Sequence, residues 1–278
     1  MPELPEVETL RRQLEPALVG RTIRDAWISP DAPALLRRLT PEQFLDLVRG
    51  RRIEQVRRRG KWLLFDLEGG LAFILHLRMT GRILLRRPDD PLDDHLRARL
   101  TLDDGTDLRW CDVRKFGTWD VTASPDDVTS VLGPEPLDAG FTAEAILSAA
   151  AGRRAPIKSF LLDQRRVAGL GNIYADEALW RSGMHPLRGA GSVTAVEAEH
   201  LRAAILAVLL DALESGGSSM RDYLDTTGRR GRFQDRWQVY QREGQSCYRC
   251  GSEIVKIIVG GRGSRYCPHC QDMPRTED

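Results

Sequence analysis

The chain has 278 residues, 41% hydrophobic and 6% aromatic, and its 41 basic and 40 acidic side chains leave a formal net charge of +1. That is enough chain for two or three domains with cores of their own. No run approaches the ~18 apolar residues a membrane span needs, and the first residues lack a signal-peptide pattern, so the expectation is a cytoplasmic protein without membrane contact.

The chain opens MPELPEVETL, where Pro5 suits a first helical turn and Val7, Leu10 and Leu14 recur at helical spacing, predicting a helix over 5–15. From 20 to 125 the stretches TIRDAWI, KWLLFDL, GLAFILHL, GRILL and RARLTL predict short strands, and DDG at 103–105 signals a hairpin before TDLRW. Strands at this spacing suggest a sandwich. The segment VLGPEPLDAG, 131–140, reads as a linker. Beyond it TAEAILSAAAG, PIKSFLLDQR, NIYADEALWRSG and the run 194–213 turn helical, the last with a buried stripe of Ala204, Ile205, Val208, Leu209 and Leu213. From 241 onward the chain is polar, glycine-rich and cysteine-bearing.

The neutral total conceals two basic regions. Arg49, Arg51, Arg52, Arg57, Arg58, Arg59 and Lys61 stand against the single acid Glu54, and a second excess runs from Gly216 to Tyr266. Either is compatible with a solvated face or with a phosphate-tracking surface. Only Lys61, Lys115, Lys158 and Lys256 are lysines; where arginine supplies nearly all the positive charge, a lysine hints at an amine that must lose its proton.

The clearest chemical signal is Cys247-x2-Cys250, sixteen residues, then Cys267-x2-Cys270. Two such pairs grip opposite sides of a tetrahedral zinc ion, and four thiolates leave no open position, so the expectation is one structural Zn2+. For so short a segment the metal contributes about 10 kcal/mol, which is most of its folding energy. Cys111 stands apart and reads as a strand residue. In VAGLGNIYADEALW, Gly169 and Gly171 predict a tight turn and Asn172 falls where the next helix should be capped. No strand leads into it, which excludes a dinucleotide loop; a helix start with Lys158 nearby reads either as a phosphate grip or as an ordinary helix hairpin.

MPELPEVET, RRRGKWLLFDL, HLRMTGRI, CDVRKFG, PIKSFLLDQ, VAGLGNIYADEALW and the four-cysteine finger, in this order, closely resemble the bacterial formamidopyrimidine-DNA glycosylases over nearly the whole chain. The resemblance implies an α+β multidomain fold: an N-terminal helix plus β-sandwich (1–130), a linker (131–140), a helical domain with a helix–two-turns–helix and a lesion-capping loop at 216–233 (141–240), and a terminal zinc-finger β-hairpin (241–278). It implies a monomer that binds damaged double-stranded DNA, excises oxidised purines and cleaves the strand.

By the same resemblance Pro2 is the nucleophile once Met1 is removed, Glu3 its general acid/base, and Lys61 and Arg262 assist elimination. Met79, Arg114 and Phe116 match the trio that fills the hole left by the everted nucleotide, while His95, Arg153, Lys158 and Asn172 match DNA contacts. Glu6 matches a second carboxylate of the active site, grouped with the DNA contacts, although a helix-dipole role explains a first-turn acid almost as well. Two alternatives stand beside this reading. One is the sister endonuclease VIII type, which takes oxidised pyrimidines; the other is a zinc-ribbon DNA-binding protein without chemistry.

Overall fold

A computed structural model describes residues 1–220 and 222–273. They fall into two compact units: Met1–Ser130 with Leu213–Gln234, and Val131–Ala212 with the chain from Asp235 onward.

In the first unit, helix α1 (Leu4–Leu18) carries Pro5 in its first turn and buries Val7, Leu10, Leu14 and Leu18 along one stripe. It outruns the expected span, continuing through Pro16 to Leu18. Strand β1 (Ile23–Ile28) follows, then helix α2 (Pro41–Val48), which the strand-dominated sequence pattern passed over. Its signal was a capping box: the Thr40 hydroxyl accepts from Gln43 N–H, and the Gln43 side chain accepts from Thr40 N–H. Strands β2 (Ile53–Arg59), β3 (Trp62–Leu67), β4 (Leu71–His76), β5 (Gly81–Arg86), β6 (Leu96–Leu102), β7 (Asp107–Asp112) and β8 (Thr118–Thr122) complete the sandwich, followed by the short helix α3 (Asp126–Thr129).

The strands form two antiparallel four-stranded sheets, ordered β1-β6-β7-β5 and β2-β3-β4-β8. Inward residues from both sheets, among them Phe65, Phe73, Leu100, Trp110 and Trp119, share one core with the α1 stripe and with Phe44 of α2. Each such side chain gains about 1.5–3 kcal/mol from leaving water. The DDG hairpin forms as expected, with Gly105 at φ 84 between β6 and β7.

The 216–233 loop was expected to belong with the helices, but its packing is with the sandwich. Tyr223 joins the sandwich core, Gln13 of α1 accepts from Thr226 N–H, and Leu85 of β5 donates to the Thr226 carbonyl.

The second unit holds helices α4 (Ala143–Ala150), α5 (Ile157–Leu162), α6 (Asn172–Ser182) and α7 (Ala195–Glu214), then the hairpin β9 (Val255–Val259) and β10 (Arg262–Tyr266). Helix α7 buries Ala204, Ile205, Val208 and Leu209 as the periodicity predicts, with Ala212 rather than Leu213 closing the stripe. Segment 131–140 begins at the boundary between the two units and hydrogen-bonds within this one. Gly133 N–H donates to the Gln164 carbonyl and Ala168 N–H to that of Pro134. A Cβ on Gly133 would come within 2.6 Å of the Arg166 backbone. No described helix is long and apolar enough to cross a membrane.

Candidate active site and metal centre

The chain start is buried: Pro2 and Glu3 lie at the head of α1, while Met1 is exposed. Glu3 is the N-cap, and its backbone N–H donates to Glu6 Oε2 at 2.8 Å. The other oxygen of Glu6 accepts from Ser218 N–H at 2.7 Å. A Cβ on Gly217, held at φ +83, would lie 2.8 Å from Glu6 Oε1. Glu6 is thus 1% exposed and clamps the head of α1 to the loop at 217–218, beside Pro2 and Glu3.

Lys61 follows Gly60 in the two-residue turn joining β2 to β3, and Gly60 takes φ 58 there. It is largely buried, and its charge is felt by His76 at the end of β4. The imidazole sits edge-on to Trp62, and its Nδ1 accepts from Arg78 N–H at 2.9 Å, which assigns the proton to Nε2. Burial, helped by the charges of Arg78, Lys61 and Arg37, pushes its pKa down to about 3. His76 is therefore a neutral N–H donor beside Lys61. Sequence reasoning missed it, because one histidine in an apolar strand reads as core.

Met79 and Phe116 are exposed, and the Arg114 guanidinium carbon lies 4.6 Å from the Phe116 ring centre. His95 is exposed too, at φ 58, with its carbonyl accepting from Asp112 N–H. The Cys111 thiol, buried in β7, is pushed up to about 12 by desolvation and is unreactive.

In the second unit the four finger sulfurs lie within 4.8 Å of one another. Zinc–thiolate bonds of about 2.3 Å set tetrahedral S···S distances near 3.8 Å. The Cys247–Cys270 and Cys250–Cys267 separations of 3.9 and 3.4 Å bracket that figure. Arg249 N–H and Cys270 N–H point at Cys247 and Cys267 sulfur, stabilising thiolate charge. The residues present fit one structural zinc.

Helix α6 holds this finger through polar side chains. Lys158 has no exposed surface: its Nζ lies 2.6 Å from Asp176 Oδ1 and donates to the Gly263 carbonyl at 3.0 Å. Asn172 Nδ2 donates to the same carbonyl at 2.9 Å, and Arg265 N–H donates to Asp176 Oδ2 at 3.0 Å. Glu177, also fully buried, accepts backbone N–H bonds from Gln238, Val239 and Tyr240. Burial pushes the Asp176 carboxyl up to about 7 against the pull of Lys158.

Lys158, expected as a DNA contact, has its ammonium buried between Asp176 and the Gly263 carbonyl. Asn172 does not cap α6, whose N-cap is Gly171; its amide secures Gly263, next to the exposed Arg262. The Arg153 side chain folds back onto the Ala149 carbonyl at the end of α4.

Three family models tile the chain: the formamidopyrimidine-DNA glycosylase N-terminal domain over 1–119, that family's H2TH domain over 132–223, and the zinc finger found in FPG and IleRS over 244–272. The chain belongs to the formamidopyrimidine-DNA glycosylase family. A family member from Chloroflexus aggregans is 46% identical over 273 residues, covering 98% of each chain. One from Roseiflexus is 43% identical over 98% of this chain and all of its own.

Among solved structures, a Lactococcus lactis FPG mutant bound to Fapy-dG DNA superposes with a TM-score of 0.90 at 37% identity, covering 98% of this chain and 100% of that one. The Thermus thermophilus protein gives 0.86 at 42%, over 99% and 100%. Wild-type Lactococcus lactis FPG bound to DNA with an oxidised pyrimidine gives 0.88 at 36%, over 98% and 100%.

Proposed function

We infer that this chain is a bifunctional glycosylase and abasic-site lyase of base-excision repair, acting as a cytoplasmic monomer on damaged double-stranded DNA and removing oxidised purines, 8-oxoguanine and formamidopyrimidines. The observation that carries this reading is the chain start: Pro2 buried directly ahead of Glu3 at the head of α1, in a chain that matches the family from end to end.

With Met1 attached, the Pro2 nitrogen is a tertiary amide and inert. Freed, it is a secondary amine, and a terminal amine of pKa near ~8 is roughly a quarter neutral at physiological pH, against about 0.1% for an ordinary lysine. Its lone pair attacks C1′ of the damaged nucleotide. The C1′–N bond breaks with its electrons on the departing base, and ring opening leaves an iminium between Pro2 and C1′.

Glu3 protonates the deoxyribose ring oxygen and later moves protons through the iminium steps. The positive iminium acidifies C2′. Loss of that proton expels the 3′ phosphate, and a second elimination expels the 5′ phosphate. Lys61 assists these eliminations from its turn, and the exposed Arg262 meets the flanking phosphates. Zinc, when bound, only folds the finger that carries Arg262.

Borohydride reduction on lesion-bearing duplex tests the mechanism. Peptide mass mapping should place the reduced link on Pro2, and protein retaining Met1 should give none. A full-strength adduct with Met1 still attached overturns the assignment. The Lactococcus lactis complex with an oxidised pyrimidine gives the endonuclease VIII-like reading a specific foothold. Paired excision rates on 8-oxoguanine and thymine glycol duplexes decide it, and a faster rate on thymine glycol would reverse the substrate assignment.

A further inference from the structure

The exposed Met79 and the exposed Arg114 and Phe116 sit on two different loops, 77–80 between β4 and β5 and 113–117 between β7 and β8. One buried side chain serves both. Asp112, the last residue of β7, is 1% exposed. Its Oδ1 accepts from the Thr80 hydroxyl at 2.5 Å and from Arg114 N–H at 3.2 Å, while Oδ2 accepts from Gly117 N–H at 2.8 Å. The Thr80 oxygen also accepts from Arg114 N–H at 3.0 Å, so the hydroxyl bridges the two loops by taking one proton and giving another.

Packing beneath the loops enforces the same registration. A Cβ on Gly81 would come within 2.7 Å of the Trp110 ring, and one on Gly117 within 2.1 Å of it. Both loops therefore rest on a single tryptophan, with the Asp112 carboxylate between them; Met79 of the first and residues 113–116 of the second are exposed above it.

We propose that Asp112 and Thr80 are positioning residues for base eversion, locking the two loops so that Met79, Arg114 and Phe116 enter the duplex as one preformed wedge. The proposal rests on reading those three side chains as void fillers. A wedge whose two halves moved independently would have to be ordered during insertion, and that ordering entropy would oppose eversion. The carboxylate is suited to the task because it accepts several donors at once and charged hydrogen bonds are the stronger kind. Neither residue touches the reacting atoms. Their effect should appear only where a hole must be filled.

The test compares two substrates on the whole zinc-loaded enzyme: an 8-oxoguanine·cytosine duplex, and a preformed abasic site in single-stranded DNA, which has no hole. Asp112→Asn puts an amide N–H against a backbone donor, and Thr80→Val removes the bridging hydroxyl at nearly constant shape. Each should slow duplex excision by about 10- to 100-fold. Each should also erode discrimination between cytosine and adenine opposite the lesion, while single-strand cleavage stays within about twofold. Thr80→Ser, which keeps the hydroxyl, should restore most of the duplex rate.

Equal losses on both substrates would make the pair merely structural and overturn the proposal, as would duplex rates unchanged in both variants. If the unaltered enzyme fails to cleave either substrate, the underlying functional reading falls instead.

Discussion

The sandwich and the finger both present arginines to solvent, but they hold them by different means. The sandwich has 27 mutually packed buried side chains among the described residues, and its loops need only a local polar pin such as Asp112. The finger's apolar cluster is Trp180, Val239, Cys247, Ile254 and Cys267, two of which are metal ligands. So few apolar groups cannot offset the entropy of ordering the hairpin. The finger therefore borrows its order from the metal and from helix α6, whose Asn172, Asp176 and Glu177 reach the backbone of residues 238–240, 263 and 265. A region rich in core is positioned from within; one poor in core must be positioned from outside.

Removing zinc should break this contrast most sharply. Chelation at low pH or Cys250→Ser forfeits about 10 kcal/mol of finger stability, so DNA binding and excision should vanish while the sandwich keeps its cooperative melt. Near-ultraviolet circular dichroism with metal analysis reads both, and a sandwich that melts along with the finger would end the distinction. Next in size is Lys158→Met, which leaves Asp176 buried without its cation and should cost about 3–5 kcal/mol of the second unit's stability. Hydrogen exchange should quicken at Gly263 and Arg265 before any change in the sandwich; uniform exchange throughout would contradict the assignment.

Gly217→Ala acts on the other side of the comparison. The new Cβ meets a pinned Glu6 at a φ that disfavours side chains, and about 2–3 kcal/mol should be lost in denaturant unfolding. Protection at the finger should be unchanged. The smallest effect concerns pH. Because the folded His76 titrates at about 3, the unfolded chain takes up a proton below pH 6.5 that the folded chain refuses, so stability falls as pH drops from 6.5 toward 3. At pH 5 the loss reaches up to about 2 kcal/mol, and His76→Gln should flatten it. Parallel unfolding curves for the two proteins at pH 7.5 and 5 would place His76 in an open, solvated setting instead.

What the sequence disclosed follows the reach of the interactions involved. The zinc site was legible because each cysteine pair must grip from one tight turn, and α1 because its stripe repeats within a few residues. The α+β architecture, the family and the zinc all stand as read. The burial and partners of Glu6 and Lys158 were not legible: Ser218 and Gly263 lie 212 and 105 positions away, and nothing local shows that a carboxylate or an ammonium will be sealed from water. Asn172 misled for the same reason, since a polar residue at a helix start looks like a cap until a distant carbonyl claims it. The 216–233 loop has a mobile composition, yet Gln13 and Tyr223 tether it to the sandwich.

The interior placement of two lysines has a consequence for side reactions. With Lys61 and Lys158 withdrawn from solvent, Lys115 and Lys256 are the only lysine ammoniums the described surface exposes, amid a coat of arginines. Guanidinium groups stay protonated and do not condense with sugar aldehydes, whereas surface amines do. On the proposed mechanism, a ring-opened abasic site would therefore meet few surface amines capable of forming a stray imine in competition with the Pro2 amine.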